Sequence, residues 1–280
     1  MISSMLRRIL LLGTGLFLAG LAPAQTPVQK IVDAEHAFAR RAAEVGNPQA
    51  FVEFMMDDAW AFNPDAVKAK PFWAARKRND SLLSWAPNVA DAASDGSFGY
   101  TTGNWEYHPT GKDSEPIAWG DFNTIWMRQG DGSYKWLIDI GVGHDRPEKY
   151  STEYTTMTVT GGRKPPTPDA AMKQFDNVAS TKGTGAAYLG FSSDKIRLFR
   201  ESKMPYLGSL AAQTAMTGTM AYGTPTESRT AGDMAFLLRP YTLTTGAQVE
   251  KGNELQVWKF DRKANKWLIV LDVIKETPAK

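Results

Sequence analysis

Apolar positions recur at helical spacing from Val28 through Ile31, Val32, Phe38 and Ala42, behind Thr26-Pro27, an N-cap with proline at the first helical position. Gly46 follows as a stop signal, so a first helix is predicted to run to that glycine. Asn47-Pro48 repeats the start signal and opens a shorter helix with Phe51, Phe54 and Met55 on one side. The run Ala59-Trp60-Ala61-Phe62 suits a short strand stopped by Asn63-Pro64. A third helix is predicted from about 71 to 85, with Phe72, Trp73, Leu82, Leu83 and Trp85 flanking the basic run Arg76-Lys77-Arg78. The pattern then becomes that of strands over 98–108, 119–128 and 134–142.

The last two of these strands form the clearest unit in the chain, WGDFNTIWMRQGDGSYKWLIDIG from Trp119 to Gly141. Ile125-Trp126 leads to a polar turn, and the chain returns through Lys-Trp-Leu-Ile at 135–138. A degenerate copy, NELQVWKFDRKANKWLIVLDVI, occupies 253–274, with Val257-Trp258 before its turn and Lys-Trp-Leu-Ile at 266–269 after it. Each reads as a β-hairpin. The first turn, 129–133, carries glycines for positive φ, and the second, 261–265, carries Asp and Asn, which tolerate it next best.

The repetition extends upstream in a fixed register. At a displacement of 137 residues, Ala34 meets Ala171, Phe38 meets Phe175, Gly46 meets Gly183, Phe51 meets Tyr188 and Phe62 meets Phe199. The displacement shrinks to 136 where Gly96-Ser97-Phe98 meets Gly232-Asp233-Met234, and to about 132 at the hairpins, as loop deletions would produce. Two copies of one domain are expected, at 28–146 and 168–276. The segment 147–167 between them holds Gly161-Gly162 and Pro165-Pro166, a linker composition, and alternation over 153–160 suits an edge strand.

Residues 1–25 stand apart. Arg7-Arg8 precede an apolar run of 13 residues, Ile9 to Leu21, and Ala22-Pro23-Ala24 supplies a small-x-small cleavage pattern after Ala24 or Gln25. This reads as a secretory signal peptide, too short for the roughly 20 apolar residues of a membrane span. No later stretch approaches that length, so no membrane span is expected after cleavage. With no cysteine in the chain, lipidation at a lipobox, thiol chemistry and a disulfide framework are excluded. A periplasmic or secreted bacterial location is expected. Removing Arg7 and Arg8 with the leader turns 32 basic against 30 acidic residues into 30 against 30, which leaves no basic surplus for nucleic acid.

An N-terminal helix, a short second helix, a strand, a third helix and long antiparallel strands ending in Trp-turn-Lys-Trp make an α+β pattern, with helices held on one face of a curved sheet. On the segment 34–62, on FGYTTGNWEY at 98–107, and above all on 122–141, with its aromatic-x-Thr-x-Trp, Gly turn, Lys-Trp and Asp-Ile-Gly, the sequence resembles the nuclear transport factor 2-like superfamily. Its SnoaL-like and ketosteroid-isomerase-like bacterial branches are the nearest in pattern. The resemblance covers most of the first copy and, less specifically, most of the second. It implies two tandem cone-shaped domains, each a curved antiparallel sheet wrapped around about three helices, with an apolar cavity at the open end. It also implies that such cones pair through their sheets, either the two copies within one chain or two chains as a homodimer.

Several residues could carry chemistry in such a cavity. Asp121 and Asn123 alternate onto one strand face, and Asp139 lies on the returning strand. If that face lines the cavity, Asp121 or Asp139 is a candidate general base, with Tyr100 donating to an enolate-like oxygen. The alternative is that Asp121 faces solvent and Asp139 bonds backbone at a strand end. Tyr100, Trp105, Asn123, Trp126 and His108 are the candidate ligand contacts, since aromatic residues give large contact area with a polar tip. The three histidines, His36, His108 and His144, have no metal-ligand spacing, and neither a metal nor a cofactor is expected. No Gly-x-Ser-x-Gly or phosphate-loop pattern occurs. Three functional expectations remain open: binding of a small apolar or amphipathic molecule in the first cavity, cofactor-free isomerase, dehydratase or cyclase chemistry there, and an interaction role for the sheets.

Overall fold

The computed structural model describes residues 25–150, 154–156 and 165–278. The expected leader, apart from Gln25, falls outside them, as does most of the alternating stretch at 153–160. The first half begins with α1 (Pro27–Val45), capped by Thr26, whose hydroxyl accepts from the Gln29 amide at 3.2 Å. Gly46, at φ 89, ends α1 and begins α2 (Asn47–Phe54). There follow β1 (Met55–Phe62), β2 (Ala66–Lys68), α3 (Ala69–Ala74), β3 (Leu82–Ala92), β4 (Phe98–His108), β5 (Ala118–Arg128), β6 (Tyr134–His144) and the two-residue β7 (Thr155–Thr156). The second half runs through α4 (Asp169–Thr181), α5 (Thr184–Phe191), β8 (Ser192–Arg200), β9 (Tyr206–Leu207) and α6 (Ser209–Ala215). It closes with β10 (Thr219–Tyr222), β11 (Glu227–Ala231), β12 (Met234–Thr245), β13 (Gln248–Asp261) and β14 (Lys266–Glu276).

Each half builds one sheet with its helices on one face. The first has strand order β2-β1-β6-β5-β4-β3-β7; the second runs β10-β12-β13-β14-β8-β9, with β11 also on β12. The same path is thus traced twice. Even an irregularity recurs: an extra residue, Leu137 in β6 and Val270 in β14, shifts the hairpin register at Ile125/Trp126 and at Val257/Trp258. The hairpin turns also use the residues that the sequence offered, Gly132 at φ 84 and Asn265 at φ 50. The sheets are mixed rather than wholly antiparallel, because β1 joins β6, and β8 joins β14, in parallel.

One predicted element is wrong. The third helix stops at Ala74, and Leu82, Leu83 and Trp85 belong to a strand. Asn79 takes the Ser81 amide at 3.2 Å and its hydroxyl at 2.7 Å, an Asx turn that breaks the helical path after the basic run. Arg76, Lys77 and Arg78 are exposed, and the Arg76 guanidinium lies 3.4 Å over the centre of the Phe72 ring. Pro87, which has no amide to donate, sits at a bulge in β3.

Apolar burial falls in three places. Phe38, Phe51, Trp126 and Trp136 pack between the first sheet and its helices, and Phe175, Tyr188, Trp258 and Ile269 do the same in the second half. The third core lies between the sheets: Tyr100, Ile125, Ile138 and Ile140 of the first half meet Phe199, Phe236, Val257 and Leu271 of the second. Full burial of such a side chain is worth roughly 1.5–3 kcal/mol, so this junction is a core in its own right. At its edge Lys259 reaches Asp91 at 3.4 Å, Asp233 at 3.3 Å and the Ala92 carbonyl at 2.7 Å. Among the described residues no helix is long and apolar enough to cross a membrane.

Candidate functional site

Strand alternation sorts the candidate residues onto two faces. On β5, Phe122, Thr124 and Trp126 point toward the helices, while Asp121, Asn123 and Ile125 point to the second sheet. Asp139 pairs with Thr124 across the β5–β6 ladder, and therefore shares the helix side with Thr124 rather than with Asp121. On β4, Thr101 and Trp105 face the helices and Tyr100 faces the other sheet.

On the helix side lies a cavity of about 310 Å3. Phe51, Phe62, Phe72, Trp73, Trp105 and Phe122 supply its aromatic wall, and Asp139 is a carboxylate within it. Phe51 and Trp73 stack with centroids 3.9 Å apart, which fixes α2 against α3. The Trp105 indole lies against Gly120, where a Cβ would stand 2.0 Å from the Val142 carbonyl oxygen and 2.4 Å from the indole ring, so only glycine admits that wall. Glycine at 141 and 143, on the same face as Asp139, leaves the strand bare along the cavity.

Asp139 is half-buried, with protein around it and part of its surface on the cavity. Burial raises its pKa to about 7, the nearby Glu35 charge adds to the rise, and a hydrogen bond donated by Thr124 Oγ1 at 3.2 Å opposes it. Glu35, on α1, is wholly buried and accepts from Trp85 Nε1 at 2.6 Å, Thr101 Oγ1 at 2.5 Å and Trp126 Nε1 at 3.0 Å. Burial raises its pKa as well, with those three donors holding it back. A carboxyl group lifted by burial and by the Glu35 charge behind it gives a site able to hold or accept a proton near neutral pH.

Of the residues singled out from sequence, Asp139 and Trp105 line the cavity. Trp126 is on the correct face but is buried behind it, bonded to Glu35. Tyr100 and Asn123 are corrections: both face the second sheet, Tyr100 within the inter-sheet core, so Tyr100 cannot serve Asp139 as a donor. Asp121 is neither solvent-facing nor in the cavity. It is buried between the sheets, accepting from Asn104 Nδ2 at 2.9 Å and facing His144 Nε2 at 2.9 Å. His144 Nδ1 lies 2.6 Å from the Asp145 carbonyl, so both ring nitrogens face acceptors, as an imidazolium requires. Burial disfavours that charge, but the Asp121 hydrogen bond, the Asp145 carbonyl and the two carboxylate charges outweigh it and raise the pKa. His108 sits at the end of β4, bonded to the Ser114 carbonyl at 2.6 Å, away from the cavity. Glu35 was missed, although a legible signal existed: with Ile31, Phe38 and Ala42 it occupies the apolar stripe of α1.

The second half answers the same positions differently. The rung that is Gly103 opposite Phe122 becomes Arg239 opposite Glu254, and Thr124 opposite Asp139 becomes Gln256 opposite Asp272. Arg239 pairs with Glu254 at 2.7 Å and with Asp176 at 2.8 Å. Buried Asp272 accepts from Tyr188 at 2.9 Å and Gln256 at 2.7 Å, and burial beside Glu254 pushes it well above the carboxylate range. Paired polar side chains occupy this interior where the first half presents glycine and an aromatic wall. Among the described residues no group of three or more His, Asp or Glu is arranged to hold a metal ion.

No family model and no curated relative matches the chain. Solved structures similar to it include a nuclear transport factor 2-like protein of unknown function from Shewanella oneidensis, at 15% identity over 38% of this chain and 98% of that one, TM-score 0.32. A ketosteroid isomerase-like protein from Erwinia carotovora atroseptica is 16% identical over 40% and 94%, TM-score 0.34. A nuclear transport factor 2-like protein of unknown function from Prochlorococcus marinus is 12% identical over 41% and 96%, TM-score 0.35. These neighbours carry the names of the superfamily that the sequence resembles, and each spans about two fifths of the chain.

Proposed function

We propose that this is an exported protein whose first-half cavity binds a small apolar or amphipathic molecule. The observation that carries the reading is the cavity itself: about 310 Å3, walled by aromatic residues, with Asp139 as a convergent polar group. Ligand sites commonly begin at roughly 300 Å3 and have this composition. The contrast between the halves supports the assignment to the first, since Arg239 and Glu254 occupy the matching rung in the second. Native mass spectrometry of protein purified from its own compartment, followed by denaturation, is expected to release a discrete small molecule that Trp105→Ala no longer retains. Protein that carries nothing, and whose tryptophan fluorescence is unmoved by a library of apolar ligands, would overturn the reading.

A second reading is favoured by one observation, the pKa of about 7 at Asp139. A carboxylate so tuned suits general-base catalysis, moving a proton on a carbonyl compound without a cofactor, as an isomerase, dehydratase or cyclase does. Export is supported by Arg7-Arg8, the apolar run to Leu21 and Ala22-Pro23-Ala24. Amino-terminal sequencing of periplasmic or secreted material is expected to begin at Gln25 or Thr26.

A further inference from the structure

The second half of the chain reaches across to the first-half cavity. Glu201, on the turn after β8, accepts from the Gly143 amide with Oε1 at 3.0 Å and from Lys275 Nζ with Oε2 at 2.6 Å. Lys275 also donates to the Gly141 carbonyl at 2.9 Å, and both side chains line the same cavity as Asp139. Strand pairing explains the opening they cover. The last β1–β6 pair is at Ile138, whereas β8 stays paired to β14 as far as Ile274, the counterpart of Gly141. Beyond Ile138 the edge of β6 is therefore free of β1. The second half takes it up, with the Ser202 amide donating to the Gly143 carbonyl at 2.7 Å.

An ammonium and a backbone amide that converge on the two oxygens of one carboxylate make a carboxylate receptor. Here the occupant is the chain's own Glu201, whose side chain is 42% exposed while that of Lys275 is 17% exposed. One lysine balances one negative charge. The floor between receptor and Asp139 is the bare backbone of Gly141 and Gly143. Same-face residues in a strand stand about 7 Å apart, so the receptor lies roughly 7 to 13 Å along β6 from Asp139.

We propose that the cavity's ligand is an amphipathic carboxylic acid whose carboxylate displaces Glu201 and takes the Gly143 amide and Lys275. Its apolar body then lies along the two glycines toward Asp139. The proposal rests on the cavity reading above and names the class of molecule. It makes Glu201 an internal competitor, held near the receptor at an effective concentration of millimolar order, which a free acid must overcome.

Calorimetric titration of the full chain with octanoate and 4-phenylbutanoate, each against its neutral amide, tests it. Glu201→Ala is expected to tighten both acids by about ten-fold or more and leave the amides within about two-fold. Lys275→Met is expected to abolish the preference for acid over amide, with thermal unfolding checking that the fold survives. Gly141→Val reports on the cavity independently: a Cβ there stands 3.5 Å from Trp105 Nε1, an ordinary contact, so the fold should hold while acids and amides are lost alike. Acids and amides bound equally by wild type and Glu201→Ala would overturn this inference and leave the cavity reading standing. Failure of every probe on every variant would overturn both.

Discussion

Asp139→Asn gives the most direct test of the electrostatics of the cavity. In the folded chain the Asp139 pKa rises from 3.8 to about 7, chiefly through burial and then through Glu35. At about 1.36 kcal/mol per unit, three units correspond to ~4 kcal/mol, and solvent in the cavity reduces this to roughly 2–4 kcal/mol. The sign follows from proton binding. Between pH 4 and 7 the folded state holds a proton at Asp139 that the unfolded chain has released, so this group makes stability fall as pH rises through that window. Above it the ionised carboxylate is a full liability. Asparagine keeps an oxygen to accept from Thr124 and carries no charge. The variant is therefore expected to match wild type near pH 4 and to exceed it by roughly 2–4 kcal/mol at pH 8. Urea unfolding of both proteins at intervals from pH 4 to 9 reads the difference, and the comparison cancels the titration of unrelated groups. Parallel curves across that range would refute the argument, as would a variant less stable than wild type at pH 8.

Two further outcomes follow from the buried pairs. Arg239→Met leaves Glu254 uncompensated beside Asp272 and is expected to cost roughly 3–5 kcal/mol in urea unfolding, most of it recovered in Arg239→Met with Glu254→Leu; a single-variant loss below about 1 kcal/mol would mean that the pair is not buried as described. His144→Gln removes an imidazolium that faces Asp121 between the sheets, with a loss on the order of 3 kcal/mol. Because the folded pKa of His144 is raised, that loss should be complete below its ordinary value of 6.5 and fade as pH rises through the folded value. Melting temperatures of the two proteins that differ equally at pH 5.5 and at pH 9 would contradict this.

Local patterns settled much of this protein from sequence alone. The caps at Thr26 and Gly46 and the hairpin turns at Gly132 and Asn265 act within a few residues, where steric and hydrogen-bond rules operate on neighbours. The third helix was misread because Leu82, Leu83 and Trp85 are apolar in either period, and the Asx turn at Asn79 is a cue of only three residues. Which face of the first sheet carries the cavity was not legible. The extra residue Leu137 reverses the parity expected from counting along β6, so Asp139 lands with Thr124 and parts from Asp121, and Tyr100 goes to the other side. Glu35 could have been found as a charge on an apolar stripe, but its three donors come from strands up to 91 positions away. Glu201 and Lys275 could not have been found at all. Their place at the first-half cavity depends on two sheets packing face to face and on β6 continuing beyond its last pair with β1, and such a juxtaposition leaves no periodicity in the chain. Sequence determined the elements and their repetition, because those are set by neighbours; only the tertiary structure decided which face became a cavity and which residues meet at its mouth, because that depends on one bulge and on contacts between distant strands.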